Sequence, residues 1–438
     1  MSLIGSTRVV IGDEVRPASL RIVDGTIVEI GEEAPEVDFG DLVVMPGLVD
    51  SHVHVNEPGR TEWEGFATAT RAAAGGGTTT IVDMPLNSIP PTVSVAALEA
   101  KREAAAGKLA VDVAFWGGLI PGSSDQIGPL VAEGVCGFKA FLVDSGVAEF
   151  PPVTPDELLG ALPEMRDFDV PALVHAEDPA RISVVVGDPA EYGSYLASRP
   201  PNAEAEAVSG VARMARATGA RIHVLHVSSA EAVAVLSEGP PTLTGETCPH
   251  YLIFCSEEIE NGATAFKCAP PIRSAEHREA LWSGLVEGAL SMVVSDHSPA
   301  PADIKRLEDG DFAQAWGGIG SLQLRLAATW TGAVERGLSL PQMSRWLASE
   351  PARLAGLDLH KGQIAVGMDG DLVVWDPDGV TDVEGARLEH RHPITPYEGM
   401  RLRGSVVMTI LGGVTVFDGG SIHGGDGRML LRDDRPDL

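Results

Sequence analysis

The sequence predicts an α/β fold, a (β/α)8 TIM barrel with a small β-sandwich domain built from both chain termini. Between residues 47 and 356, eight short apolar runs alternate with Ala-, Glu- and Arg-rich helical stretches, as a barrel of parallel strands requires. Residues 1–46 and 357–438 instead resemble short strands separated by turns. A doubly wound sheet shows the same alternation, so it stays open on this observation alone.

The eight apolar runs have the length of buried strands, and glycine, proline or polar turn residues flank them. In chain order they are LVDSHVHV at 48–55, TTTIVDM at 78–84, VDVAFWGGL at 111–119, CGFKAFL at 136–142, PALVHAE at 171–177, RIHVLHVS at 221–228, PTLTGET at 241–247 and SMVVSDHSP at 291–299. Their number matches the number of strands in the barrel.

Turn and cap residues support this division of the chain. In LRIVDGTIVEIG, Asp24 and Gly25 separate two apolar stretches, which is a hairpin signal. The triple glycine at 75–77 lies between a helical stretch and the next strand. It therefore predicts a helix C-cap and turn, because a phosphate-binding loop needs its glycines before a helix. Ser228, followed by Glu231, predicts the N-cap of the helix after the sixth strand.

Composition and charge exclude several classes of partner. Acidic residues outnumber basic ones by 62 to 32, which gives a net charge of -30 and argues against a nucleic-acid partner. The chain contains no apolar stretch of about 20 residues, the length that a membrane-spanning helix needs. The start of the chain lacks the features of a signal peptide. The cysteines form no CxxC pair or disulfide framework. We therefore expect a cytoplasmic protein with no membrane partner.

Two histidines lie two residues apart in VDSHVHVNEPGR, at residues 49–60. Alternate side chains of a strand point the same way, so His52 and His54 can reach a common point. Neutral imidazole is a common ligand of zinc and similar metals. The pair is therefore a candidate metal site, and a half-buried strand with two hydrogen-bonded histidines is the alternative from this pattern alone.

Other titratable residues lie near the carboxyl ends of further strands, where barrels build their active sites. Lys139 lies between Phe138 and Phe141 in the fourth strand, and a buried lysine is unfavourable unless it is paired or chemically modified. A lone strand histidine is more often a core residue. In a barrel, however, metal binding accounts for six residues together: His52, His54, Lys139, His175, His226 and Asp296.

This pattern resembles the binuclear amidohydrolase superfamily, with HxH on strand one, lysine on strand four, histidines on strands five and six, and aspartate on strand eight. The likeness extends over nearly the whole chain, including MPGLVDSHVHV and the terminal β segments. Within the superfamily the chain is similar to the cyclic amidohydrolases, namely the dihydroorotases, the dihydropyrimidinases or hydantoinases, and the allantoinases. The resemblance implies a hydrolase that opens a C–N bond of a cyclic amide.

The resemblance also implies two divalent ions, zinc in the first place, with iron, cobalt or manganese as alternatives. The implied ligands are His52, His54 and Asp296 for one ion, His175 and His226 for the other, and a bridging carbamate formed from Lys139 and carbon dioxide. Because a water shared by two ions has a lowered pKa, a bridging hydroxide would attack the ring carbonyl. Asp296 would be the catalytic proton shuttle, taking the proton and returning it to the leaving nitrogen.

At two positions this chain lacks the residue that is usual in enzymes of a related activity. Dihydroorotases usually show HxHLR, whose arginine grips a substrate carboxylate, but Asn56 stands at that position here. Dihydropyrimidinases usually carry a tyrosine five residues after the metal lysine, where this chain has Asp144. The remaining segments are most similar to allantoinases: EPGRTEWEGFATATRAAAGGGTTT, MPLNSIPPTV, KCAPPIR, AWGGIGSLQ and HPITPYEGM.

The resemblance therefore implies hydrolysis of the hydantoin ring of allantoin to allantoate, a step of purine breakdown. A broad-specificity hydantoinase is the alternative, and a dihydroorotase is a further one. The implied substrate contacts include backbone groups of the KCAPPIR and WGGIG loops, with tight loop turns as the competing interpretation. The candidates are Asn87, Cys268, Ala269, His297, Gly317 and Gly318.

Two other classes explain the sequence less well. A non-catalytic scaffold on the same fold predicts broken metal positions, whereas all six are intact. A mononuclear deaminase would leave Lys139 unexplained. The resemblance implies a homo-oligomer, with the tetramer of many relatives as the expected form, and a small cyclic amide or ureide as the bound molecule.

Overall fold

The first five strands lie in the sheet formed by the chain termini. The computed structural model describes residues 2–424 and 427–432. These strands are β1 (Ser2–Ile11), β2 (Glu14–Val23), β3 (Thr26–Gly31), β4 (Val37–Asp38) and β5 (Val43–Pro46). Asp24 and Gly25 connect β2 to β3 with φ values of 49° and 85°. Both values are those of a type I′ hairpin turn, which confirms the predicted hairpin.

The barrel strands follow β5. They are β6 (Leu48–Val53), β7 (Thr78–Asp83), β8 (Asp112–Phe115), β9 (Gly117–Gly118), β10 (Phe138–Phe141), β11 (Ala172–His175), β12 (Ile222–Val224), β13 (Leu243–Thr247) and β14 (Met292–Val293). They pair in parallel. β8 and β9 occupy one strand position, interrupted at Trp116. A parallel bridge between Val53 and His297 joins the first strand to the segment after the last, which closes the predicted barrel.

Helices connect most of these strands. They are α1 (Phe66–Gly75), α2 (Val95–Ala105), α3 (Ile127–Ala132), α4 (Pro155–Asp167), α5 (Tyr192–Ser198), α6 (Pro201–Thr218), α7 (Ala230–Ser237), α8 (Pro249–Ile253), α9 (Ala275–Glu287), α10 (Arg325–Glu335), α11 (Leu340–Ser344) and α12 (Glu350–Ala355). In α6, Ala207, Val211 and Ala215 are buried at the spacing of one helix face. Within residues 2–424 and 427–432, none of the helices is both long and apolar enough to cross a membrane.

The caps at two helix ends can be compared with their predictions. α1 ends at the triple glycine, and the N–H of Gly76 donates to the carbonyl of Ala72, as predicted. The predicted N-cap of α7 is wrong by one residue, because Oγ of Ser229 accepts from the helix. Ser228 instead donates its N–H and its hydroxyl to the carboxylate of Glu204, each at 2.8 Å. That carboxylate is buried and needs partners.

The last strands complete the terminal sheet. They are β15 (Leu372–Asp382), β16 (Arg401–Leu411) and β17 (Val414–Phe417). The sheet order is β17-β16-β15-β5-β1-β2-β3, with β4 beside β1, so β5 joins the strands from the two ends of the chain. A separate buried cluster includes Leu20, Val44 and Val374 from both ends. The predicted fold class, a barrel with β structure from both termini, is confirmed.

Candidate metal centre

Side chains from the first, fourth and eighth barrel strands meet at the carboxyl end of the barrel. His52 lies in β6, Lys139 in β10, and Asp296 just after β14. Nε2 of His52 is 3.2 Å from both Nζ of Lys139 and Oδ1 of Asp296. Nε2 of His54 is 3.6 Å from the same aspartate oxygen. The two histidines therefore do reach a common point.

Two further histidines approach this group from the fifth and sixth strands. His175 ends β11, and His226 follows β12. Their ring centroids are 4.6 Å apart, and the ring of His226 is 5.4 Å from that of His52. Nδ1 of His226 is buried and has no hydrogen-bond partner in the part of the chain that the structure describes. Because buried polar atoms normally have a partner, this nitrogen fits the role of a metal ligand.

Three of the six side chains lie past the strands in which the sequence placed them. His54, His226 and Asp296 follow the last residues of β6, β12 and β14. His226 and Asp296 have φ values of 38° and 46°, in the left-handed region that non-glycine residues seldom adopt. Such strained residues concentrate at active sites and ligand clamps. The backbone here turns to direct these side chains toward the barrel axis.

Glu246 of β13, which the sequence analysis did not single out, connects three histidines of this region. Its Oε1 is 2.6 Å from Nδ1 of His52 and also accepts from the N–H of His226 at 3.3 Å. Its Oε2 is 3.1 Å from Nε2 of His223. The signal for this residue was a carboxylate inside the apolar run PTLTGET, which needs partners once it is buried.

Two other contacts orient the remaining rings. Nε2 of His175 is 2.6 Å from the carboxylate of Glu177, which also accepts from Arg199. Nδ1 of His54 is 2.9 Å from the carbonyl of Leu86. A hydrogen bond to one ring nitrogen determines which nitrogen faces a metal. These partners leave Nδ1 of His175 and Nε2 of His54 available.

The electrostatics suit divalent cations. Burial and the charge of Lys139 lower the pKa of His54 to about 4. Burial also lowers the pKa of Lys139 to about 8, although Asp296 opposes this shift. Burial acts to raise the pKa of Asp296, but His52 and the other nearby imidazoles hold it well below its usual range. Neutral imidazoles, a carboxylate and an amine that is easily deprotonated form a donor set for divalent metal ions.

A cavity of about 1040 Å³ opens above this group. Five of the six candidate ligands line it: His54, Lys139, His175, His226 and Asp296. Asn87, Ala269 and Gly317, three of the predicted substrate contacts, also line it. The backbone N–H groups of Ala269 and Gly317 donate to no group within the described ranges. They are therefore available to a ligand in the cavity.

Two of the predicted substrate contacts already use their backbone groups within the protein. Neither Cys268 nor Gly318 lines the cavity. The carbonyl of Cys268 accepts from the hydroxyl of Tyr195 at 2.7 Å. The N–H of Gly318 donates to the carbonyl of Lys267 at 2.9 Å. These bonds join neighbouring loops, and substrate contact through Cys268 and Gly318 stays a prediction.

His297, another predicted substrate contact, lies beside the cavity wall. Its side chain is completely buried and does not line the cavity. Nδ1 accepts from the N–H of Ser321 at 3.1 Å, and Nε2 is 3.3 Å from the carboxylate of Glu64. Both ring nitrogens thus contact the protein, and substrate contact through His297 stays a prediction.

Comparison with known proteins agrees with this geometry. Residues 43–416 match the model of the amidohydrolase family. The chain is 46% identical to an allantoinase of Streptomyces avermitilis over 98% of both chains, and 40% identical to the allantoinase of Saccharomyces cerevisiae over 95% of both. Among solved structures, an L-hydantoinase (dihydropyrimidinase) from Arthrobacter aurescens superimposes with a TM-score of 0.91 at 30% identity, covering 99% of this chain and 100% of that one. The chain therefore belongs to the amidohydrolase family and is a metal-dependent cyclic amidohydrolase.

Proposed function

We propose that this enzyme opens the hydantoin ring of allantoin to give allantoate. The observation that carries the proposal is that cations around the cavity already have partners. The side-chain pairs are Arg60–Glu149, Arg199–Glu177 and Arg306–Asp309, and Lys267 donates to the carbonyls of Ala313 and Ala315. A substrate carboxylate, such as that of dihydroorotate, would compete for these cations. An uncharged ureide needs none of them.

The relatives support the same substrate. Proteins named allantoinase match nearly the full chain at 40% to 46% identity, whereas the hydantoinase is 30% identical. Asp144, which stands where dihydropyrimidinases usually have a tyrosine, is exposed at the edge of the cavity. An ionised carboxylate cannot donate a hydrogen bond to an oxyanion. A broad hydantoinase therefore remains only the second candidate.

The proposed cofactors are two divalent ions, with zinc as the first choice and iron, cobalt or manganese as alternatives. The residues that would hold them are His52, His54 and Asp296 for one ion, His175 and His226 for the other, and Lys139 for both. As a free amine, Lys139 can add to carbon dioxide and lose a proton, which gives a bidentate carbamate. When bound, the ions supply deprotonated water near neutral pH and polarise the carbonyl group under attack.

Residues of the chain itself would transfer the proton and bind the substrate. Nearby imidazoles hold the pKa of Asp296 well below its usual range, which favours the carboxylate form. In that form Asp296 would accept the proton of the attacking water and return it to the departing ring nitrogen. The N–H groups of Ala269 and Gly317, which have no acceptor within the described ranges, would donate to oxygens of the ring. Asn87, whose amide nitrogen donates to Asn56 at 3.1 Å, would bind a polar group of the substrate through its remaining atoms.

The proposal extends to a cytoplasmic homotetramer that acts in purine breakdown. Val184 and Val186 are 80% and 78% exposed, and Val184 lines the rim of the cavity. Contiguous exposed apolar patches mark protein–protein contact sites, so these two valines are a candidate contact for a second subunit. No disulfide links the four cysteines, all of which lie in described segments, in keeping with a reducing compartment. Light scattering at several protein concentrations would give the subunit number.

Substrate comparison tests the proposal. Metal-loaded protein is offered racemic allantoin, hydantoin, dihydrouracil and dihydroorotate, and kcat/KM is measured for each. We expect allantoin to exceed the others by about 100-fold, which is about 2.7 kcal/mol of discrimination. Similar rates on hydantoin and dihydrouracil would make the protein a broad hydantoinase. Preference for dihydroorotate would contradict the argument from the paired cations.

A further inference from the structure

A buried lysine outside the candidate metal centre holds part of the cavity wall. The side chain of Lys305 is almost fully buried, and no carboxylate within the described ranges forms an ion pair with it. Its Nζ donates instead to three backbone carbonyls, those of Gly318 at 2.8 Å, Trp316 at 3.1 Å and Lys267 at 3.2 Å. An ammonium group has three donors, and each of them is used here.

These acceptors belong to two loops that are distant in the sequence. The carbonyl of Lys267 accepts from Lys305 and also from the N–H of Gly318 at 2.9 Å. Nζ of Lys267 in turn donates to the carbonyl of Ala315 at 2.5 Å and to that of Ala313 at 3.3 Å. The two lysines thus connect the loop at 313–318 to the loop that contains Lys267.

The connected loops carry the backbone amides of Ala269 and Gly317, which line the cavity and donate to no group within the described ranges. Ala269 lies two residues after Lys267, and Gly317 lies between Trp316 and Gly318. A Cβ added to Gly317 would be 3.7 Å from the amide nitrogen of Ala269, so the two loops lie side by side. Lys305 does not line the cavity itself. Any effect of Lys305 on a ligand must therefore be indirect, through the loops that it contacts or through its own segment, in which Ile304 and Arg306 line the cavity.

We propose that Lys305 is a positioning residue for substrate, because it sets the separation of the Ala269 and Gly317 amides that hold the ring. The inference rests on the proposed function, in which those amides donate to the substrate. Removing the ammonium group would leave the carbonyls of Trp316 and Gly318 without this donor. Among the described residues, the two loops would then be linked only by the bonds that Lys267 makes through its carbonyl and its Nζ. Substrate-positioning groups are sensitive to displacements of about 1 Å, and because these amides bind the ring, the loss is expected in KM.

The test compares Lys305→Met, which removes the donors, with Lys305→Gln, which keeps two of them. Leu307→Ala is the matched control, since it shortens an exposed side chain on the same segment. The readouts are bound metal, kcat and KM for allantoin, and hydrogen exchange of residues 313–320. For Lys305→Met we expect unchanged metal content, faster exchange, a KM raised by about tenfold or more and a kcat close to wild type. Lys305→Gln should lie between, and Leu307→Ala should match wild type.

Other results overturn the inference. Faster exchange with an unchanged KM would show that Lys305 only stabilises the loops. A lower kcat with an unchanged KM would place its effect on the reaction rather than on binding. If Lys305→Met does not fold, the same comparison is made with Lys305→Gln. If wild-type protein opens hydantoin or dihydrouracil but not allantoin, the substrate proposal fails, and KM for that ring still decides the role of Lys305.

Discussion

Nδ1 of His52 lies 2.6 Å from Oε1 of Glu246, and both side chains are completely buried. Burial alone would raise the pKa of Glu246, but His52 and His223 lower it to about 2. The carboxylate is therefore anionic, and it holds the proton of His52 on Nδ1. Nε2 of His52 is left to face Lys139 and Asp296. A hydrogen bond to the ring nitrogen that faces away from a metal fixes the tautomer and orientation of a ligating histidine and raises its basicity.

Replacing that carboxylate should weaken metal binding. In Glu246→Gln only one terminal atom is an acceptor and the negative charge is lost, so the side chain can no longer accept from both His52 and His223 and the tautomer of His52 is less well defined. We expect about 10- to 100-fold weaker metal affinity, measured by competition with a chelator. Glu64→Gln is the control, because this equally buried carboxylate contacts His297 rather than a candidate ligand. Equal affinities for wild type and Glu246→Gln would contradict the assigned role.

Asp296→Asn should separate proton transfer from folding. The amide has nearly the same shape, so the melting temperature should stay close to that of the wild type, but it cannot act as a base. We expect kcat to fall by about 100- to 10,000-fold in steady-state assays. Asp303→Asn changes another carboxylate that lines the cavity and should retain most activity. Near-normal turnover by Asp296→Asn would exclude it as the proton carrier.

Lys139→Ala should remove both metal ions, since Lys139 is the proposed ligand common to the two sites. Elemental analysis of the purified variant is expected to show less than one ion per chain, together with loss of activity. Lys267→Met is the control for metal content alone, because Lys267 lines the same cavity but bonds to loop carbonyls. Retention of two ions by Lys139→Ala would rule out a bridging carbamate.

Gly318→Ala should displace the loop beside the cavity. A Cβ at this position would lie 2.3 Å from the carbonyl oxygen of Ser298, which is too close for any real contact. We expect a loss of about 1–3 kcal/mol in the free energy of unfolding, measured with urea, and a higher KM. Gly420→Ala serves as control because its Cβ would meet nothing within 4 Å. Wild-type stability in Gly318→Ala would show that the loop can move without cost.

The barrel and the six candidate ligands could be predicted from the sequence because both depend on local pattern. Buried parallel strands are short apolar runs, and the barrel topology then brings their carboxyl ends to one place. The spacing of His52 and His54 predicted their common direction for the same reason. His54 and Asp296 lie beyond the ends of their strands, but their side chains still reach the same end of the barrel as the other candidate ligands.

The errors concern residues whose partners are distant in the sequence. Ser228 matches a capping box locally, but buried Glu204 takes its hydroxyl and N–H. Lys305, for which the sequence analysis made no prediction, lies in the charged segment DIKRLEDGD. It is buried because carbonyls from other loops accept from its Nζ, and one of these, that of Lys267, also accepts from the N–H of Gly318. No local pattern encodes these tertiary contacts.

The closure of the barrel between Val53 and His297 has a consequence for the biogenesis of the enzyme. His52 and Asp296 come from the first and last barrel strands, so they can meet only after nearly the whole barrel has left the ribosome. Contacts between such distant segments form slowly, and chains of this size fold through partly structured intermediates. We therefore expect the ions to enter a barrel that has already closed, so that metal loading is the final step of maturation rather than a template for folding.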